Sequence, residues 1–153
     1  IDAAEWVGPY DDEKLGFYKV APNYYFPGWW EGGPMLVAMI NLDKWNALPK
    51  YYQHVLEQAG HLANNWMMAR YDQANPVALK KLLAVGTKLR PFPSAVMEAS
   101  FKAAKELHAE VAAGNANFKK VYDSLTSFSN NGYQWFQVAE VGYDNFMARP
   151  SQV

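Results

Sequence analysis

The sequence predicts an α/β protein of about one domain's length, and three observations carry that prediction. Short aromatic and β-branched runs, cut by proline and glycine, occupy the first part of the chain and return at Thr87 to Phe92. Between and after those runs, apolar residues recur at helical spacing. The tail from Asn115 to Met147 carries rings facing almost every direction, too apolar for a free surface helix.

Taken in order, Ala4 to Pro9 reads as a short strand stopped by Gly8-Pro9. Asp11 and Asp12 then cap a brief helical turn through Leu15, with Glu13 favourably placed near its positive end. Phe17 to Phe26 reads as a second strand, interrupted by Pro22, which argues for an edge, a bend or a crossing. Met35 to Ile40 fits either a buried strand or a helix start. Asn41 opens a helix, and Pro49 begins the next segment. From Pro49 to about Ala74 the spacing of Tyr52, Val55, Leu56, Ala59, Leu62, Ala63, Trp66 and Met67 predicts one buried face, with Gln53, Glu57 and Asn64 on the other. Asn75-Pro76 reads as a cap and first residue of a new helix, which Gly86 stops. Thr87 to Phe92 is a short strand, and a helix from Pro93 or Ser94 ends at Gly114. Within the tail, Gly132 costs helix stability, so a kink there competes with one long rod.

Composition sets limits on function. Half of the residues are hydrophobic and 19% are charged, so the chain is globular, and at 153 residues it has the length to bury a core. A net charge of -1 leaves no electrostatic footprint for nucleic acid or an anionic membrane. The absence of cysteine removes thiol catalysis, disulfides and Cys-ligated zinc, and assigns no compartment. The longest aliphatic run, Met35 to Ile40, is far short of the roughly 20 residues of a membrane helix. No signal peptide is visible and the chain opens on Ile1, which suggests a trimmed or truncated product.

The chemistry concentrates between Ala21 and Leu36, where Tyr24, Tyr25, Phe26, Trp29 and Trp30 surround the single carboxylate of Glu31 between glycine-proline borders. Rings offer wide apolar walls at low entropic cost, and one anion among them resembles a pocket wall with a polar anchor. A tight turn whose rings fill a core accounts for the same residues. Glu5, beside Trp6, is the other acid in aromatic, glycine-bordered surroundings, and the two carboxylates suit a glycosidase acid and base or a hard cation. His54 and His61, seven apart, and the distant His108 lack the spacing of a metal pair. No serine or threonine sits in a nucleophile motif, and Gly32-Gly33 is too short for a phosphate loop. On residues alone the chain is an aromatic pocket with one or two acids, which describes a carbohydrate-binding module, a glycosidase fragment or a solute-binding protein.

The runs EWVGPYDDEKLGFYKVAP at 5 to 22 and YYFPGWWEGGP at 24 to 34 closely resemble the solute-binding proteins of TRAP transporters, in the branch that binds 2-oxo acids such as pyruvate. The likeness continues through NLDKWNALP at 41 to 49, LRPFP at 89 to 93 and YDNFM at 143 to 147. It implies a non-catalytic periplasmic receptor of two α/β lobes, about twice this length, of which this chain resembles the C-terminal half. Residues of about 1–35 would supply pocket-side strands, 36–114 a lobe portion, and 115–147 C-terminal helices through which some members form homodimers. The resemblance also implies a bridging sodium or calcium ion that joins the ligand's oxygens to Glu5, to a backbone oxygen of Trp6 and to Glu31, with Trp6 walling the ligand. The family's carboxylate-clamping arginine and a further side-chain ligand fall outside these residues. Asn23 stands where close relatives more often carry Tyr, a departure at the pocket rim. The implied partners are a small 2-oxo or 2-hydroxy monocarboxylate and a membrane permease, with no nucleic acid.

Overall fold

A computed structural model describes residues 2–149, which are mostly helical with one small sheet. Among them the chain runs α1 (Pro9–Leu15), a 3-10 turn (Phe17–Lys19), β1 (Asn23–Phe26), α2 (Leu42–Ala47), α3 (Lys50–Ala84) and β2 (Lys88–Pro91). There follow α4 (Ser94–Gly114), α5 (Ala116–Phe136), a π-helical segment (Gln137–Val141) and α6 (Gly142–Met147). The chain divides into two units, Ile1–Met97 and Glu98–Val153.

In the first unit, α1 lies on the C-terminal part of α3, and the fully buried apolar residues there are Ala74, Ala78 and Leu82. β1 and β2 pair in parallel with Asn23 opposite Lys88 and Phe26 opposite Pro91. The Lys88 amide donates to the Pro22 carbonyl at 2.8 Å, so Pro22 ends the approach to the strand and the strand begins after it. The connection between the strands runs through α2 and α3, as a parallel pair requires. Phe92, just past β2, sets its ring 5.1 Å from that of Tyr25.

Several expected elements take another form. Ala4 to Gly8 is not a strand, the expected strand from Phe17 shrinks to Asn23–Phe26 behind a 3-10 turn, and Met35 to Ile40 is irregular. Alternating or β-branched residues make a strand only where a partner edge is present, and β2 supplies one for four residues. The break expected at Asn75-Pro76 is also absent: α3 is one helix of 35 residues with Pro76 inside it, about 52 Å long at the rise of an α-helix. A proline there costs roughly 3 kcal/mol in an unsupported helix. Tertiary contacts supply the support, because Ala74 and Ala78 are buried under α1. The Asn75 side chain, instead of capping a new helix, crosses to accept the Tyr10 amide at 3.0 Å.

The predicted polar side of α3 also departs from expectation at Gln53, which is 5% exposed. Its amide nitrogen donates to the carbonyls of Trp45 at 2.8 Å and Leu48 at 3.1 Å, so it closes the open end of α2. The face predicted to be buried is exposed as well: Tyr52, Val55, Leu56, Leu62 and Trp66 all face outward. Length alone therefore does not give this chain a large core; its helices leave apolar faces that no other described part of it covers.

The punctuation read from the sequence holds well. Asn41, read as a helix start, accepts through Oδ1 from the Lys44 amide at 3.1 Å at the start of α2; Asn115, which the sequence reading did not mark as a cap, does the same for Phe118 at 2.9 Å at the start of α5. α3 closes on Gly86 at φ 97°, with Gly86 and Thr87 amides donating back to Leu83 and Leu82. In the second unit, α5 passes through Gly132 without a break, and the irregular turn falls at Gln137–Val141. α5 presents Val121, Leu125 and Phe128 on one exposed stripe.

Candidate ligand-binding site

Glu5 and Trp6 lie on the extended segment that leads into α1, and Glu31 lies on the irregular loop that follows β1. What relates the two segments is a bond between the elements behind them. The Tyr24 hydroxyl, on β1, donates to Asp12 Oδ2, on α1, at 2.6 Å. Asp12 is 7% exposed, and its Oδ1 has no partner. Burial raises the Asp12 carboxyl above its ordinary range; the Tyr24 bond opposes that rise, while the charges of Asp11 and Glu5 add to it. Glu5 is thus close enough to α1 to act on Asp12 electrostatically. Tyr24 is raised in turn, first by burial and then by the carboxylate it binds.

The aromatic residues of the loop face outward. Tyr25, Phe26, Trp29 and Trp30 are all exposed, and so is Trp6. They do not fill a core among the described residues; the Trp29 and Trp30 rings meet edge to face at 5.2 Å. The Phe26–Pro27 peptide bond is cis. Gly28 is held tightly: a Cβ there would meet the Glu31 carbonyl at 3.1 Å, so the missing side chain lets the loop fold back and present Glu31. Gly32 and Gly33 face open space.

Neither Glu5 nor Glu31 has an ion-pair partner among the described residues, and no hydrogen bond joins Glu5, Trp6 and Glu31 to one another. Among the described residues no three of His, Asp and Glu gather closely enough to enclose a metal ion. The Glu5 and Glu31 carboxylates are unengaged by other described side chains, and a carboxylate is a ligand type that suits a hard cation. His54 is exposed with Nδ1 3.2 Å from Glu57, and the His108 ring lies 4.9 Å from that of Tyr122.

Sequence reasoning missed the side chains that frame this region. Arg90 Nε donates to Asn23 Oδ1 at 2.7 Å across the strand pair, which gives Asn23 a part in holding β1 to β2. The Tyr71 hydroxyl donates to Asp11 Oδ2 at 2.8 Å, tying α3 to α1. Nothing in local spacing marks either bond, because their partners lie 60 or more residues apart.

Residues 1–115 match the family model DctP, described as bacterial extracellular solute-binding protein, family 7. The chain belongs to this family. It is a family of solute-binding proteins and not of enzymes, so a glycosidase or carbohydrate-module reading of the aromatic stretch is not favoured. Among curated relatives, the solute-binding chain is 49% identical over 146 residues to a monocarboxylate 2-oxoacid-binding periplasmic protein of Nostoc sp., a match covering 95% of this chain and 40% of the relative. Among solved structures, it matches a TRAP transporter solute-binding protein from Bordetella bronchiseptica with a TM-score of 0.93 at 48% identity. That match covers 96% of this chain and 44% of the other; the Bordetella structure is a mixed-occupancy dimer with copurified calcium and picolinate in one active site and the other apo. The chain thus spans less than half the length of these relatives. No described helix is long and apolar enough to cross a membrane.

Proposed function

We propose that this chain acts within a periplasmic TRAP receptor that binds a small 2-oxo or 2-hydroxy monocarboxylate through a bridging metal ion and delivers it to a membrane permease. The observation that carries the reading is the 49% identity to a 2-oxoacid-binding periplasmic protein across nearly all of the chain. The Glu5 and Glu31 carboxylates and the Trp6 backbone oxygen hold a sodium or calcium ion, and the Trp6 ring walls the ligand. Two acids alone repel an organic anion; a cation between them reverses the local field and offers the ligand's carboxylate and oxo oxygens a shared partner. Calcium with picolinate, a ring acid able to present a nitrogen and a carboxylate oxygen together, in the Bordetella protein supports this chemistry. Residues of about 1–35 face the pocket, 36–114 build part of a lobe, and 115–147 provide helices whose stripe of Val121, Leu125 and Phe128 suits a homodimer. Ligand and ion together close the receptor into the form that the permease recognises.

Calorimetry with pyruvate on the protein at its natural length tests the bridge. Passing the protein over a resin-bound chelator, or the substitution Glu31→Gln, is expected to weaken binding at least ten-fold, with calcium or sodium restoring the stripped protein. Unchanged affinity after both treatments rules the metal bridge out.

A further inference from the structure

Away from Glu5, Trp6 and Glu31, a cleft of about 220 Å³ opens between α1 and α3, lined by Tyr10, Glu13, Lys14, Arg70, Gln73 and Lys81 among others. It holds three cations against one acid. Lys81 lies 3.8 Å from Glu13, but among the described residues neither Lys14 nor Arg70 has a carboxylate oxygen within 4.0 Å. Both instead converge on the Tyr10 hydroxyl oxygen, Lys14 Nζ donating at 2.6 Å and Arg70 Nη2 at 3.3 Å. Asp11 accepts from the Tyr71 hydroxyl and has no cation within 4.0 Å among the described residues.

Tyr10 is set firmly in place. Its amide is held by Asn75, its ring meets Tyr71 edge to face at 6.1 Å, and the Lys14 ammonium lies 4.0 Å from its ring centroid. Arg70 is oriented by a second bond, from Nη1 to Gln73 Oε1 at 3.1 Å. The Tyr10 hydroxyl accepts two charged donors, and its own O–H has no acceptor among the described residues. Those donors hold the phenol below its usual range, Lys14 first and Arg70 second, which strengthens it as a donor.

We propose that this cleft is a second anion site, in which one carboxylate group accepts from Arg70, Lys14 and the Tyr10 hydroxyl together. Two cations and an acidified O–H converging on one point recognise an oxyanion by charge-assisted hydrogen bonds. The volume is below that of pockets for drug-sized molecules and matches a short organic acid or one acidic side chain of a protein partner. This inference stands apart from the bridging-metal reading, because no residue of the cleft belongs to that donor set.

The test is an NMR titration of metal-stripped protein at its natural length, with succinate in one arm and a blocked Asp-Glu-Asp peptide in the other. Saturable shifts at Tyr10 and at the Arg70 side chain are expected in at least one arm; saturation by succinate identifies a free acid, and saturation by the peptide alone identifies an acidic partner segment. The double substitution Lys14→Gln with Arg70→Gln is expected to weaken that binding at least ten-fold while pyruvate affinity in the presence of metal stays unchanged. Tyr10→Phe, which keeps the ring and removes the donor, is expected to weaken it several-fold and decides the matter if the double variant misfolds. Shifts that grow linearly in both arms, or an affinity indifferent to these substitutions, overturn the proposal.

Discussion

Replacing Tyr24 by Phe isolates the bond that ties α1 to β1. The substitution removes one hydroxyl from a 2.6 Å hydrogen bond to Asp12, whose other oxygen already lacks a partner. A hydrogen bond to a charged group contributes about 1.5–3 kcal/mol, and here its loss strands a carboxylate that is 7% exposed, so Tyr24→Phe is expected to cost about 2–3 kcal/mol. The companion substitution, Asp12→Asn, keeps an acceptor for Tyr24 but removes the buried charge and its repulsion by Asp11 and Glu5. It is expected to be neutral or stabilising near pH 7. The sign follows from the raised folded-state value of Asp12: the folded chain holds this proton to higher pH than the unfolded chain does. Stability from this group is therefore greatest in acid and declines as pH rises from about 4 through the raised value. Urea unfolding at pH 3.5 and 7.5 measures both effects, and Asp12→Asn should remove this group's decline. A Tyr24→Phe protein as stable as the parent, or an Asp12→Asn protein less stable at pH 7.5 than at pH 3.5 by more than the parent is, would refute the reasoning.

Gly28→Ala is expected to push the Glu31 carbonyl by a few tenths of an ångström and weaken pyruvate binding in calorimetry, with little change in unfolding midpoint, because the Cβ would stand 3.1 Å from that oxygen in an exposed loop. Leu82→Ala removes the most deeply buried side chain beneath α1, at 1% exposure, and should cost about 2–5 kcal/mol in denaturant unfolding. Leu125→Glu with Phe128→Glu places two charges on the exposed stripe of α5; if the proposed homodimer pairs through that stripe, light scattering should show the mass fall to that of a monomer, and an unchanged mass would overturn that pairing.

Local chemistry made much of the fold readable. Asn41 and Asn115 accept the amide three residues ahead, and Gly86 adopts the left-handed turn that a β-carbon resists, so these helix ends follow from a few adjacent residues. Errors arose where a distant partner decides. Pro76 looks like a helix start until α1 is laid over Ala74 and Ala78 and Asn75 is drawn to Tyr10. Gln53 looks like a solvent residue until the carbonyls of α2 are brought over it. The candidate site shows the same division. Glu5, Trp6 and Glu31 stand out through their aromatic and glycine neighbours, whereas the Asp12–Tyr24 bond and the cluster on Tyr10 have no local signature.

By itself, then, the sequence determined the family, the stretch where binding chemistry concentrates and most points at which helices begin or end, since each of these depends on residue order over a few positions. The tertiary structure alone decided that one helix runs unbroken through a proline, that Asp12 is buried under a tyrosine, and that two cations meet on a phenol. Those outcomes depend on burial and charge contributed by residues far away in the chain, and the free energy of such contacts has no counterpart in local spacing.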